Sequence, residues 1–119
     1  MSGGIGVIEL WDYPFDPAET KDFDSDLSAE MTRTGDSIQD VDWTLPPAAV
    51  AAGLRVATSY VSNGVFAVVW FTAADPAALR AALSGTNVEV VRTVRTVGGR
   101  TLVDTVILKI RDKIAAAAA

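Results

Sequence analysis

Residues 43–111 alternate short apolar-rich runs with turn dipeptides, and that rhythm constrains the fold more than any other feature of the chain. Asn63-Gly64 is the preferred pair for a two-residue type I′ hairpin, where both positions need positive φ. Gly98-Gly99 offers the same backbone freedom a second time. Between these turns, Leu54-Arg55-Val56-Ala57-Thr58-Ser59-Tyr60 alternates apolar and polar side chains, as a strand with one buried face does. Val65 to Phe71 is almost continuously apolar and predicts a strand covered on both faces. Trp70 is its expected core anchor, with an indole N–H that needs a carbonyl.

The flanking segments fit the same pattern. Ser37 to Leu45 carries Ile38, Val41, Trp43 and Leu45, and Pro46-Pro47 stops it because proline cannot donate to a ladder. The last hairpin joins Asn87–Val97 to Arg100–Arg111. Val88, Val90 and Val94 alternate with Glu89 and Arg95, then Val106, Leu108 and Ile110 with Ile107, Lys109 and Arg111. Trp43, Trp70, Val106 and Leu108 are the candidate core residues. Ala48 to Ala52 offers one helical turn, and Asp75–Gly85 reads as the one full helix. Asp75 caps it, Pro76 suits its first position, Gly85 suits a left-handed exit, and Leu79 and Leu83 share a face.

Ahead of the strands, Val7-Ile8-Glu9-Leu10-Trp11-Asp12-Tyr13-Pro14-Phe15-Asp16-Pro17 packs three aromatics into five residues between prolines. That is neither a helix interior nor a central strand. Residues 1–19 therefore read as an extended arm laid on its own sandwich or on a partner, 20–113 as the sandwich, and 114–119 as a poly-alanine tail. Trp11, Tyr13 and Phe15 are the candidate interaction residues of the arm. Asp22, Asp24 and Asp26 share one face of an extended strand. They do not make an EF-hand loop, since Leu27 and Arg33 stand where glycine and glutamate are required. A charged edge that resists strand pairing is the expectation.

Charge is split along the chain. Residues 1–42 hold eleven acids and two bases, and residues 43–119 hold four acids and eight bases. An acidic head on a basic body predicts docking of opposite charges, within the chain or between copies. Arg92, Arg95 and Arg100, with Lys109 and Arg111, form a basic edge that reads as edge protection or as a docking surface. With an overall charge of −5, nucleic acid is not the expected partner.

Catalytic chemistry is thin. The sequence has no cysteine and no histidine, which removes thiolate and imidazole nucleophiles, bases and metal ligands. Gly3-Gly4-Ile5-Gly6 has no following lysine and hydroxyl residue, so it is no phosphate loop. A Ser–Lys pair would need Lys21, Lys109 or Lys113, each in a charged setting. No enzyme, cofactor or metal is expected. No apolar run reaches the length of a membrane helix, and the first residues lack a secretory pattern.

Taken in order, Trp43-Thr44-Leu45-Pro46, Gly53-Leu54-Arg55-Val56, Val68-Val69-Trp70-Phe71, Val94-Arg95-Thr96-Val97-Gly98-Gly99-Arg100-Thr101 and Leu108-Lys109-Ile110-Arg111 resemble a family of small virion proteins. These are the phage fiber–tail adaptor proteins of tailed bacteriophages, and the resemblance spans roughly residues 20–112. The Asp75–Gly85 helix departs from the short glycine-rich link of that pattern, and the arm is more aromatic than the pattern requires. The resemblance implies an immunoglobulin-like antiparallel β-sandwich, here with one short helix and an N-terminal arm. It implies a structural protein of the virion at the head–tail neck, joining fibers or tail proteins to the connector. Its partners would be other phage structural proteins (adaptor, portal, tail or fiber), with copies in a symmetric ring and neither nucleic acid nor membrane involved. A capsid decoration protein is the alternative. A carbohydrate-binding or adhesion sandwich would need exposed aromatics, for which Tyr60 and Phe66 are candidates that read as core.

Overall fold

The computed structural model describes residues 8–113; the glycine-rich start and the alanine tail lie outside the described residues. The elements follow one another as β1 (Ile8–Leu10), β2 (Lys21–Asp26), α1 (Ser28–Thr34), β3 (Ile38–Thr44) and α2 (Pro47–Ala51). Then come β4 (Leu54–Ser62), β5 (Phe66–Ala73), α3 (Pro76–Leu83), β6 (Asn87–Thr96) and β7 (Thr101–Lys109). They build an all-β sandwich of two sheets, one ordered β1-β7-β6-β3 and the other β2-β5-β4. Neighbouring strands are antiparallel except β1, which runs parallel to β7.

Both turns form where glycine allows them. Asn63 and Gly64 take φ of 54° and 68° between β4 and β5, and Gly99 takes 92° between β6 and β7. Asp75 caps α3 by accepting the Ala78 N–H at 3.2 Å, and Leu79 is driven fully into the core. One helix was not expected. In α1 only Met31 is buried, and Gly35 ends the helix in the left-handed conformation. The sandwich thus carries three helices among its described residues, with α2 at the expected helical turn and α3 at the expected helix.

Alternation decides what lies inside. Val88, Val90, Arg92, Val94 and Thr96 are the buried residues of β6 on one face, and Leu108 and Val106 pair with the first two. The main core joins them to Phe23, Val69, Phe71, Leu54, Leu79 and Ile110. A smaller cluster of Met31, Ile38 and Val94 sits at the other end, with Leu27, Val61 and Leu102 against it. Val106 and Leu108 are core as expected, and Trp43 packs on the core while half-buried. Trp70 corrects its expected place. Residues 67, 69 and 71 of β5 are fully buried, whereas Trp70 is half-buried on the outer side, and Phe71 takes the anchoring role. On its outer side β5 is less tightly closed, with Val68 buried and Phe66 and Trp70 half-buried. The buried residues of the three helices, Met31, Ala49 and Leu79, all belong to the interior clusters, so no helix lies over that outer face.

Candidate interaction surfaces

Residues 8–16 lie on the chain's own sandwich, one of the two placements the sequence left open for the arm, and Trp11 and Phe15 are therefore core and not partner anchors. β1 lies alongside β7, with Ile8 opposite Thr105 and Leu10 opposite Ile107. Beyond it, the Trp11 N–H donates to the Ile107 carbonyl at 3.2 Å and the Phe15 N–H to the Lys109 carbonyl at 2.8 Å. Arg111 returns a bond to the Phe15 carbonyl at 2.9 Å. Trp11 and Phe15 are buried and join Phe23 and Phe71, with centroid separations of 5.0 Å for Trp11–Phe23 and 6.4 Å for Phe15–Phe71. The Trp11 indole donates to the Asp24 carbonyl at 3.0 Å. Neither ring can reach a partner from there. Of the three aromatics only Tyr13 is outside, 72% exposed, with the Lys21 ammonium 5.4 Å from its ring centre.

The basic edge is occupied by the chain's own acids. Arg95 pairs with Asp40 at 2.7 Å and Asp42 at 2.9 Å. Arg100 holds Asp36 at 2.9 Å and reaches the Thr34 hydroxyl. Hydrogen bonds from the Thr96 hydroxyl and from Arg100, with the N–H groups of Ser37 and Gly98, pull the Asp36 carboxyl well below the ordinary carboxylate range. Gly98 lies so close that an added Cβ would come within 2.7 Å of the Asp36 carboxylate. Burial works against the charge on Asp16. The N–H groups of Ala18 and Lys113 and the Arg80 guanidinium outweigh it, so its pKa is lowered too. The acidic head and basic body therefore meet inside one chain.

Arg92 is not at an edge at all. It is 2% exposed and sits between the two apolar clusters, bonded to Glu9 at 2.6 Å and to Asp104 at 3.0 Å. Ser25 donates to the same Glu9 at 3.2 Å, completing a polar layer across the interior. The Arg92 Nε has no acceptor among the described residues. This layer opens onto a cleft of about 530 Å3 lined by Glu30, Leu27, Leu102 and Val103 as well as the charged residues. The arrangement orders charge across the interior. Among the described residues, no group of three or more His, Cys, Asp or Glu side chains is placed to hold a metal ion.

On the outer face of the β2-β5-β4 sheet, half-buried aromatic rings stand beside exposed carboxylates. Asp22, Asp24 and Asp26 stand cross-strand from Trp70, Val68 and Phe66. On the other side of β5, Tyr60 pairs with Val68 and Thr58 with Trp70. Tyr60 is 52% exposed and Phe66 half-buried, so neither is the core residue expected of it. The even run of apolar residues in β5 concealed this surface; the cross-strand carboxylates of β2 are the signal that one side of it faces water.

A family model described as podophage GP4 fiber-tail adaptor protein gp77 matches residues 16–109. The chain belongs to that family. The matched span starts at Asp16, which ties the first segment to Arg80 of α3 and to Lys113, and stops at the last residue of β7. No curated protein matches the chain. As a phage fiber-tail adaptor the protein is a structural component of the virion, and its interactions are with other phage structural proteins such as tail fibers. No helix among the described residues is long and apolar enough to cross a membrane.

Proposed function

We propose that this adaptor sits at the head–tail neck or tail, repeated in a symmetric ring, and joins fibers or tail proteins to the connector by non-catalytic contacts. The family match over residues 16–109 carries this reading. The internal pairing of charges supports it, because a body whose Arg92, Arg95, Arg100 and Arg80 are all tied to its own carboxylates is a stiff spacer. Closed rings of small identical subunits are a common way to meet a symmetric axis.

Copy number in purified particles tests the placement. Roughly six to a dozen copies, counted against the major capsid protein, are expected of a ring on the axis. Hundreds of copies would overturn it in favour of a decoration protein on the head lattice. Absence from particles would remove the neck placement and the ring together.

A further inference from the structure

We propose that the outer face of the β2-β5-β4 sheet receives a cationic segment, bearing arginine or lysine, from a different protein of the virion. The inference deepens the adaptor reading and rests on it. Edge protection alone accounts for acids on β2. It does not account for the aromatic rings beside them. Trp70 and Phe66 stand next to Asp22 and Asp26 across the strand pair, with Tyr60 open to solvent beyond Val68. A guanidinium laid on such a ring can pair its edge with the neighbouring carboxylate, combining cation–π contact and a charge-assisted hydrogen bond. Asp26 is partly engaged, accepting the Ser28 N–H at 2.9 Å. Asp22 and Asp24 make no ion pair with the described residues and are exposed.

The cation has to come from another kind of chain. All ten lysines and arginines of the sequence lie within the described residues, and each is already engaged at home. Seven of them are held as follows. Arg33, Arg80, Arg92, Arg95, Arg100 and Lys113 are in ion pairs, and Lys21 lies over aromatic rings. Arg55, Lys109 and Arg111 donate to backbone carbonyls. A second copy would bring to this face only cations that already hold contacts within their own chain.

The test uses particles assembled without this chain, incubated with the purified full-length protein and pelleted, with the bound copies counted. Wild-type protein is expected to bind, and to be released as salt rises from roughly 50 to 500 mM, as screened charge pairs require. The double variant Asp22→Asn/Asp24→Asn, which alters only exposed carboxylates, should melt like the wild type and bind roughly tenfold less. Trp70→Ala should also reduce binding, and Glu89→Gln on the outer face of the other sheet should not. Wild-type binding that is equalled by the asparagine variant and indifferent to salt would overturn the proposal, leaving the rings to a neutral glycan or to nothing. Changed self-association of the purified double variant would overturn it in favour of a second copy. Failure of wild-type protein to bind at any salt would instead sink the adaptor reading on which this one stands.

Discussion

Trp11 and Trp43 lie with ring centroids 5.7 Å apart, yet their indole N–H groups are treated differently by the fold. Trp11 donates to the Asp24 carbonyl, whereas the buried Nε1 of Trp43 has no acceptor. Replacing Trp11 with phenylalanine removes a made hydrogen bond and orphans part of the Asp24 carbonyl's capacity. Replacing Trp43 with phenylalanine removes a donor that was already unmatched. Both changes lose ring volume, and because Trp11 is the more buried ring its lost packing adds to its lost hydrogen bond. Urea unfolding should show Trp11→Phe costing more than Trp43→Phe by about 1 kcal/mol. Equal losses would mean that the Asp24 bond contributes nothing net. Arg92 makes the complementary point. Its charge is matched by Glu9 and Asp104, which remain 30% and 21% exposed, so the layer keeps a foot in water while crossing the interior. Stability is not the main return on such a layer, since apolar residues could fill the same space. It does penalise any slip of β7 against β6, because a one-residue shift would part Arg92 from Asp104 and take one of the two carboxylates that match a buried cation.

At the scale of elements, β1 and the residues after it behave as a strand of the sandwich. Phe15 is fully buried against Phe23 and Phe71, and truncating a buried phenylalanine costs about 3–5 kcal/mol. Total stabilities of domains are about 5–15 kcal/mol. Phe15→Ala is therefore expected to lower the thermal midpoint sharply or unfold the purified chain, whereas Tyr13→Ala should leave it unchanged. Circular dichroism melts of the two variants decide the matter. Preserved stability in Phe15→Ala would restore the adhesive arm. The strands, both hairpin turns and α3 were legible because period-two alternation, Asn63-Gly64, Gly98-Gly99 and the Asp75-Pro76 start are local signals. The place of the first segment was not, since three aromatics near prolines look the same whether they seek a partner or their own core. Only the parallel register with β7, nearly a hundred residues later, distinguishes the two. α1 was hidden for a different reason. One buried residue, Met31, leaves no periodicity, and the only cues are Leu27 four places before it and Gly35 four places after. The basic edge misled because strand alternation was read without the partner strands, whose Asp40, Asp42 and Asp104 neutralise it.

Across the whole molecule, the split of charge along the sequence becomes a network of internal clamps, and that network sets the response to acid. Folding lowers the pKa of Asp36, Asp16 and Glu19. The unfolded chain, with an aspartate near 3.8, then binds more protons in acid than the folded one. Their stabilising contribution is complete above that value and is lost as pH falls through the lower folded values. Urea midpoints should stay level from neutral pH to about pH 5 and decline below about pH 4. Asp36→Asn should flatten part of that decline, and an unchanged slope in the variant would remove Asp36 from the account. The parallel course of β1 beside β7 bears on tension. Its hydrogen bonds run on through Trp11, Phe15 and Arg111, so the first and last parts of the described chain lie side by side and point the same way. A pull on the two ends drags these neighbours lengthwise past each other. Every bond of that seam is then loaded at once instead of peeling one after another.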